Sequence, residues 1–333
     1  MKKIINEPER AVGQALEGFA AAYGNQLEKL PDCNGILYKK RRKGKVALVI
    51  GGGSGHEPMF SGFVGAGLAD AAACGNIFAS PDPITIMKTA QAVESGCGVL
   101  FVYGNYAGDN LNFDMAEEML QEQGIPTAHV RVWDDCASAP QERIEDRRGI
   151  AGDVFVIKIA GAACDAGLSL DEAVSVTEQA RDETRSIGVA TSPGTIPGLS
   201  APTFTLGDNE IEYGMGLHGE PGILRTEMQP ADVLTGMLYE NLKKDMALSA
   251  GERVCVLVNS LGSTTLLELS VVYRRLKELL DGDGVEICDA DLNGYCTCQE
   301  MGGFSISLLR LKEAFAGYYD APCHCPYYTK GGF

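Results

Sequence analysis

A chain of 333 residues, 45% hydrophobic and 22% charged, can bury the cores of about two domains without disulfide or metal support. Its 45 acidic residues against 28 basic ones give a formal net charge of −17. That field repels nucleic acid and anionic membrane surfaces, so neither is expected as a partner. The one basic run, "KKRRKGK" at 39–45, reads as a solvated turn before a strand. The N-terminal "MKKIINEPER" has no apolar run behind its lysines, which is unlike a secretion signal, and no stretch approaches the ~18 apolar residues of a membrane span. The 11 cysteines are odd in number and scattered. They are expected to be reduced thiols of a cytoplasmic protein.

Along the chain, "KVALVI" (45–50) is a short β-rich run that ends in "GGGSGH" (51–56). "EPMFSGFVGAGLADA" (57–71) is predicted as a helix entered near Pro58. "GCGVLFVYG" (96–104) is a buried strand, "NFDMAEEMLQEQG" (112–124) an amphipathic helix stopped by Gly124, and "TAHVRVW" (127–133) the next strand. Strand and helix in alternation imply a largely parallel sheet with helices on both faces. Ligands of such sheets sit beyond the carboxyl ends of the strands. Gly51–His56 and Asn105–Asp109 both follow strands and are therefore expected at one edge.

In "GDVFVIKIAGAACDAG" (152–167) the apolar residues Val154, Ile157, Ala160 and Cys164 step by three and four, which favours a helix; "SLDEAVSVTEQARDETRS" (169–186) is a second one. The Pro- and Gly-rich "GVATSPGTIPGLSAPTF" (188–204) marks a boundary near 187. The expected organisation is two α/β domains, residues 1–186 and 187–333. In the second, "FTLGDNEIEYGMGLHGEPG" (204–222) reads as a strand pair with a loop. "PADVLTGMLYENLKKDM" and "STTLLELSVVYRRLKELL" are helices, and "ERVCVLVNS", "VEICDADLNGYCTC" and "FSISLLRL" are strands.

The glycine loop lacks the G-x-x-x-x-G-K-[ST] spacing of a triphosphate loop. It is also a poor dinucleotide fingerprint, because His56 stands where the third glycine belongs. A nicotinamide-dependent oxidoreductase is disfavoured on that ground. Bare glycine backbone at Gly53, Ser54 and Gly55 can still approach a small ligand. Of four histidines, His129 alternates inside a strand and reads as structural, and His324 sits in "CHCP". His56 and His218 occupy similar settings, "GHEPM" and "HGEPG", each beside glycine and Glu-Pro. Exposed loop histidines of this kind can offer a neutral imidazole near pH 7. Asp109, in the loop "GNYAGDNLNF" (104–113), is either a turn aspartate or a base for a substrate hydroxyl. Cys296, Cys298, Cys323, His324 and Cys325 have C-x-C and C-H-C spacings, not the C-x₂-C pairs of structural zinc, so no metal is expected.

Together "GGGSGHEP", "ASPDP", "NYAGDNLNF", "FTLGDNEIEYGMGLHGEPG" and "GFSISLL" resemble the substrate-binding subunit of dihydroxyacetone kinase, in order and over nearly the whole chain. The resemblance implies that the glycine loop holds a short ketose. It implies that His218 captures the ketose carbonyl as a hemiaminal, that His56 orients the sugar, and that Asp109 binds the terminal hydroxyl and takes its proton. It also implies backbone contact at Gly53. Many members carry a lysine where this chain has Gly104, which suggests a roomier pocket, for example for the four-carbon erythrulose.

No stretch of the sequence reads as a polyphosphate-binding loop, so no cofactor is expected on this chain. The resemblance places ATP or ADP with Mg²⁺ on a separate nucleotide-binding kinase subunit, with the phosphotransferase system as a possible phosphoryl donor. It further implies a homodimer. A reading from another class is a ketose sensor acting on a transcription regulator without catalysis.

Overall fold

The structure, a computed structural model, describes residues 2–331. The chain forms two α/β units, each assembled from separated segments. The first takes the residues up to Val132, then Val154–Ala180, then those from Glu313 onward; the second takes Trp133–Asp153 and Arg181–Lys312. Contacts thus group the chain differently from a single boundary at 186/187. The start of the Pro- and Gly-rich stretch, expected to mark a boundary near 187, lies in a strand (Thr184–Ser192) bonded on both sides.

In the first unit the sheet order is β1 (Leu27–Lys29), β2 (Gly35–Tyr38), β4 (Ala71–Ile77), β3 (Ala47–Ser54), β5 (Val99–Gly104) and β6 (Thr127–Val132). β4, β3, β5 and β6 are parallel, and β1 and β2 close one edge antiparallel. Val49, Ala71, Val99 and Phe101 join one core with α2 (Pro83–Val93) and α3 (Ala107–Gln121). The alternate residues Leu48, Ile50, Leu100 and Val102 are just as fully buried. Strands covered on both faces need apolar residues at every position, which is why "ALVI" and "VLFV" show no alternation. α2 begins at the "PDP" of the sequence: Asp82 accepts the Thr85 N–H at 3.0 Å as an N-cap, with Pro83 in the first turn.

The remaining helices of this unit are α1 (Ala11–Ala22), α4 (Asp153–Ala166), α5 (Leu170–Asp182) and α8 (Glu313–Asp320). α4 is buried almost all round, as its apolar residues on every side require. Its Lys158 donates to the Tyr318 carbonyl at 2.7 Å, and burial pushes its pKa down to about 8. A short hairpin of β13 (Cys323–His324) and β14 (Thr329–Lys330) completes the unit.

Two expectations for this unit change. The helix expected over 57–71 is absent; the segment holds one 3₁₀ turn, Ser61–Phe63. It is instead paired at long range: Ala66 bridges His324, and a Cβ on Gly65 would stand 2.3 Å from the His324 carbonyl oxygen. The glycine run is also not a loop. β3 continues through Gly51–Gly53 to Ser54, with Gly51 opposite Ala73 and Gly52 opposite Cys74.

The sheet of the second unit runs β11 (Glu286–Asn293), β10 (Arg253–Ser260), β12 (Gly302–Arg310), β7 (Thr184–Ser192), β8 (Glu210–Tyr213), β9 (Leu224–Glu227). Only β10 and β11 pair in parallel. α6 (Ala231–Met246) and α7 (Leu266–Gly282) cover one face through Leu234, Leu238, Leu269 and Leu276, packed with Ile187, Val256 and Ile306. The "TLLE" of the sequence starts α7 with a capping box between Thr265 and Glu268.

Two arginines converge on Asp245 at the end of α6. Arg147, buried, bonds both carboxylate oxygens at 2.8 and 2.6 Å, and Arg185 adds a third bond at 2.9 Å. Removing the carboxylate strips two desolvated cations of a shared counter-charge. Asp245→Ala is therefore expected to cost about 3–5 kcal/mol of stability, read from the urea midpoint and slope. A loss within the range of a surface substitution would show that the cluster is not needed.

Candidate functional site

The carboxyl end of the first sheet gathers one set of the residues singled out in the sequence. β3 and β5 are parallel neighbours, with Ile50 opposite Val102, so the segments that follow them emerge at one edge as expected. Gly53 and Ser54 hold the turn after β4 there. The Ser54 hydroxyl donates to the Gly75 carbonyl at 2.7 Å, and its own carbonyl accepts the Phe78 N–H at 2.9 Å. A Cβ on Gly53 would stand 2.9 Å from the Ala79 nitrogen. The space at this glycine is taken by that turn.

The turn in turn covers a histidine. The Phe78 ring lies over His56, with centroids 5.0 Å apart and planes tilted by 31°. His56 is 3% exposed, so the expectation of an exposed loop histidine is corrected here. Its loop is fixed by Glu57, whose two oxygens accept the Gly55 N–H at 3.1 and 3.0 Å. Asp109 also stands differently from expectation. α3 begins at Ala107, before the amphipathic pattern becomes legible, so Asp109 lies in the first turn of the helix and is buried. The helix dipole favours a negative charge at that position. Asn110 donates to Asn105 Oδ1 at 2.8 Å and Asn112 to the Pro81 carbonyl at 2.9 Å, which ties the start of the helix to both neighbouring turns. Gly104 ends β5 opposite Val132, and its carbonyl accepts the Tyr106 N–H at 2.9 Å.

His218 belongs to the second unit, in the loop joining the antiparallel strands β8 and β9. Its side chain is about a quarter exposed. Glu220 grips it twice. One oxygen accepts the His218 backbone N–H at 2.9 Å, and the other lies 3.1 Å from Nδ1. Burial raises the pKa of Glu220, but the bond to His218, its charge and Arg148 outweigh burial and bring the value down to about 2. Arg148 Nη1 stands 3.9 Å from Glu220. Its Nε and Nη2 bond Asp135 at 3.1 and 2.8 Å. Asp135 is itself pushed up to about 7 by burial, against the pull of Arg148. None of Phe78, Glu220, Arg148 and Asp135 was singled out from the sequence. The shared Glu-Pro after each histidine was the visible trace of the glutamates' task.

His129 pairs with Glu117 at 2.6 Å, and Asp114 beside them is held by Arg131 at 2.6 Å. His324 Nδ1 lies 3.0 Å from the Thr329 hydroxyl. Cys296 and Cys298 belong to the second unit, and Cys323 and Cys325 to the first. All four are buried thiols outside any disulfide, and burial pushes Cys325 up to about 12.

With this geometry in view, the comparisons with known proteins are decisive about kinship. The Dak1 domain model matches residues 17–327. The chain belongs to the Dak1 family. The dihydroxyacetone-binding subunit DhaK of PTS-dependent dihydroxyacetone kinase 2 from Listeria innocua is 42% identical, over 98% of this chain and 99% of its own length. An L-erythrulose kinase from Pectobacterium atrosepticum is 40% identical over 99% of this chain, which spans 57% of that longer protein. Among solved structures, a dihydroxyacetone kinase operon co-activator, DhaQ, superposes with a TM-score of 0.91 at 29% identity, over 98% of this chain and all of that one. No helix among the described residues is long and apolar enough to cross a membrane.

The packing at Gly53 generates a prediction. Gly53→Ala must displace the Phe78–Ala79 turn, at a cost of about 1–3 kcal/mol, and should shift the His56 ring signals in an NMR spectrum. Unchanged stability and unchanged His56 signals would show that the turn has room to spare.

Proposed function

We propose that this chain is the ketose-binding subunit of a dihydroxyacetone kinase. It captures a short ketose on His218 and presents the terminal hydroxyl for phosphorylation by a separate nucleotide-binding subunit. The observation that carries this reading is the near full-length likeness to a dihydroxyacetone-binding subunit, combined with an intact "GLHGEPG" loop in which Glu220 bonds the ring of His218.

The chemistry follows from the groups. A neutral imidazole nitrogen adds to the carbonyl carbon: a C–N bond forms and the π pair moves to oxygen. That oxygen gains one proton as the ring gives one up, so the hemiaminal is neutral and the step is reversible. An alcohol has no such carbon, which gives a means of rejecting glycerol, a polyol of similar size. Asp109 serves as base for the hydroxyl that attacks phosphorus, and His56 orients the sugar. ATP, or a bound ADP rephosphorylated by the phosphotransferase system, belongs with Mg²⁺ on the partner subunit. The Listeria innocua relative is the dihydroxyacetone-binding subunit of a PTS-dependent kinase, which favours the second donor. A homodimer and a place in glycerol metabolism complete the proposal.

The L-erythrulose kinase at 40% identity, with Gly104 in place of the lysine of many relatives, supports a four-carbon ketose as the alternative substrate. The co-activator structure supports a second reading, ketose sensing for a transcription regulator. One experiment separates them. With the nucleotide-binding subunit and Mg²⁺ supplied, kcat/KM is measured for dihydroxyacetone, both erythrulose enantiomers and glycerol. Turnover of a ketose but not of glycerol is expected. Asp109→Asn should lower kcat about 10²–10⁴-fold, and His218→Ala should remove the preference for ketose over polyol. Ketose binding without any turnover would favour the sensor, and discrimination that survives His218→Ala would sink the covalent reading.

A further inference from the structure

The second unit holds an ordered row of charges behind His218. Glu220 touches the ring, Arg148 stands behind Glu220, and Asp135 anchors Arg148. Asp135 is buried and takes two bonds from Arg148, while its other oxygen accepts the Ala137 N–H at 3.0 Å. The sequence makes room for this row. A Cβ on Gly216 would stand 2.3 Å from Glu220 Oε2 and 2.5 Å from Arg148 Nη1. Any other residue at 216 would push the carboxylate and the guanidinium out of place.

From this geometry we infer that Glu220 is a positioning residue that fixes the proton of His218 on Nδ1, and that Arg148 and Asp135 hold Glu220 to that task. The inference deepens the proposed function and rests on it for its catalytic meaning. An ionised carboxylate only accepts hydrogen bonds, so an imidazole nitrogen at 3.1 Å from it must donate. A proton on Nδ1 puts the ring's lone pair on Nε2. Only that nitrogen then has a pair to give to a carbonyl carbon, since a protonated ring nitrogen has none. During capture the ring carries a positive charge between C–N bond formation and loss of the Nδ1 proton. The carboxylate beside Nδ1 balances that charge. The depressed pKa of Glu220, about 2, keeps the group ionised throughout the neutral range.

The backbone bond sharpens the role. Because one oxygen of Glu220 accepts the His218 N–H, the second is aimed at Nδ1. A glutamine at 220 would keep its carbonyl on the backbone N–H and turn its NH₂ toward the ring. Nδ1 would then have to accept, and the proton would move to Nε2.

The test uses the full chain labelled with ¹⁵N at histidine. In the ligand-free wild type, the His218 ring is expected as the Nδ1–H tautomer. Glu220→Gln should convert it to the Nε2–H tautomer and weaken dihydroxyacetone binding about 10–100-fold, the range typical of groups that orient a histidine from behind. Arg148→Lys keeps the charge but loses the two-pronged bond to Asp135. It should leave the tautomer in place and weaken binding only a few-fold. Glu220→Asp restores a carboxylate and should recover the Nδ1–H form at least in part. A wild-type ring protonated on Nε2, or a Glu220→Gln chain with unchanged tautomer and affinity, overturns the inference. A wild type with the expected tautomer but no ketose adduct at His218 leaves the positioning role standing and removes the capture reading instead.

Discussion

A carboxylate that reaches back to a backbone N–H two residues upstream shapes both histidine loops. Glu57 does so to Gly55 and Glu220 to His218. Such a bond satisfies a donor that a tight glycine-flanked turn leaves without a strand or helix partner, and it pins the turn that carries the histidine. In the first loop the result is a histidine pressed beneath Phe78; in the second it is a histidine about a quarter exposed with a carboxylate on its ring. The same backbone-to-carboxylate device thus yields two histidines with different access.

Much of the architecture was legible in periodicity. The apolar runs of β3, β5 and β10 and the stripes of α4, α6 and α7 stand where the spacing put them. What failed was local reading where distant pairing decides. Residues 57–71 have helix-like spacing, but Gly65 and Ala66 lie against His324, more than 250 residues away in the chain. The glycines at 51–53 look like a loop, yet they are sheet residues whose missing side chains admit Phe113, Phe60 and the Ala79 backbone. The strand "AAACGNI" (71–77) is too small-featured to announce itself, and the position of Phe78 over His56 depends on it.

The candidate site was legible in identity but not in environment. His56, His218 and Asp109 could be singled out because their residue types sit in glycine-rich segments after strands. That His56 is buried, and that Asp109 lies in a helix rather than a loop, follow from packing that no local window contains. Arg148 and Asp135 lie 72 and 85 residues before Glu220, with nothing in their own neighbourhood to mark them. Their task depends on how residues 133–153 join the second unit.

That discontinuous assembly has a consequence for biosynthesis. The first unit receives α8 and the β13–β14 hairpin from the far end of the chain: the His324 N–H bonds the Ala66 carbonyl, Tyr328 stacks on Phe63, and the Tyr318 carbonyl accepts a hydrogen bond from Lys158. On a ribosome, the earliest-made sheet must wait until residue 330 or so has cleared the exit tunnel before its last wall is set. Until then, the segment around Phe63–Gly67 and a buried lysine of the nascent chain lack part of their cover. The second unit can mature first although it is translated later. A chain laid out in this order favours chaperone protection of its front half during elongation.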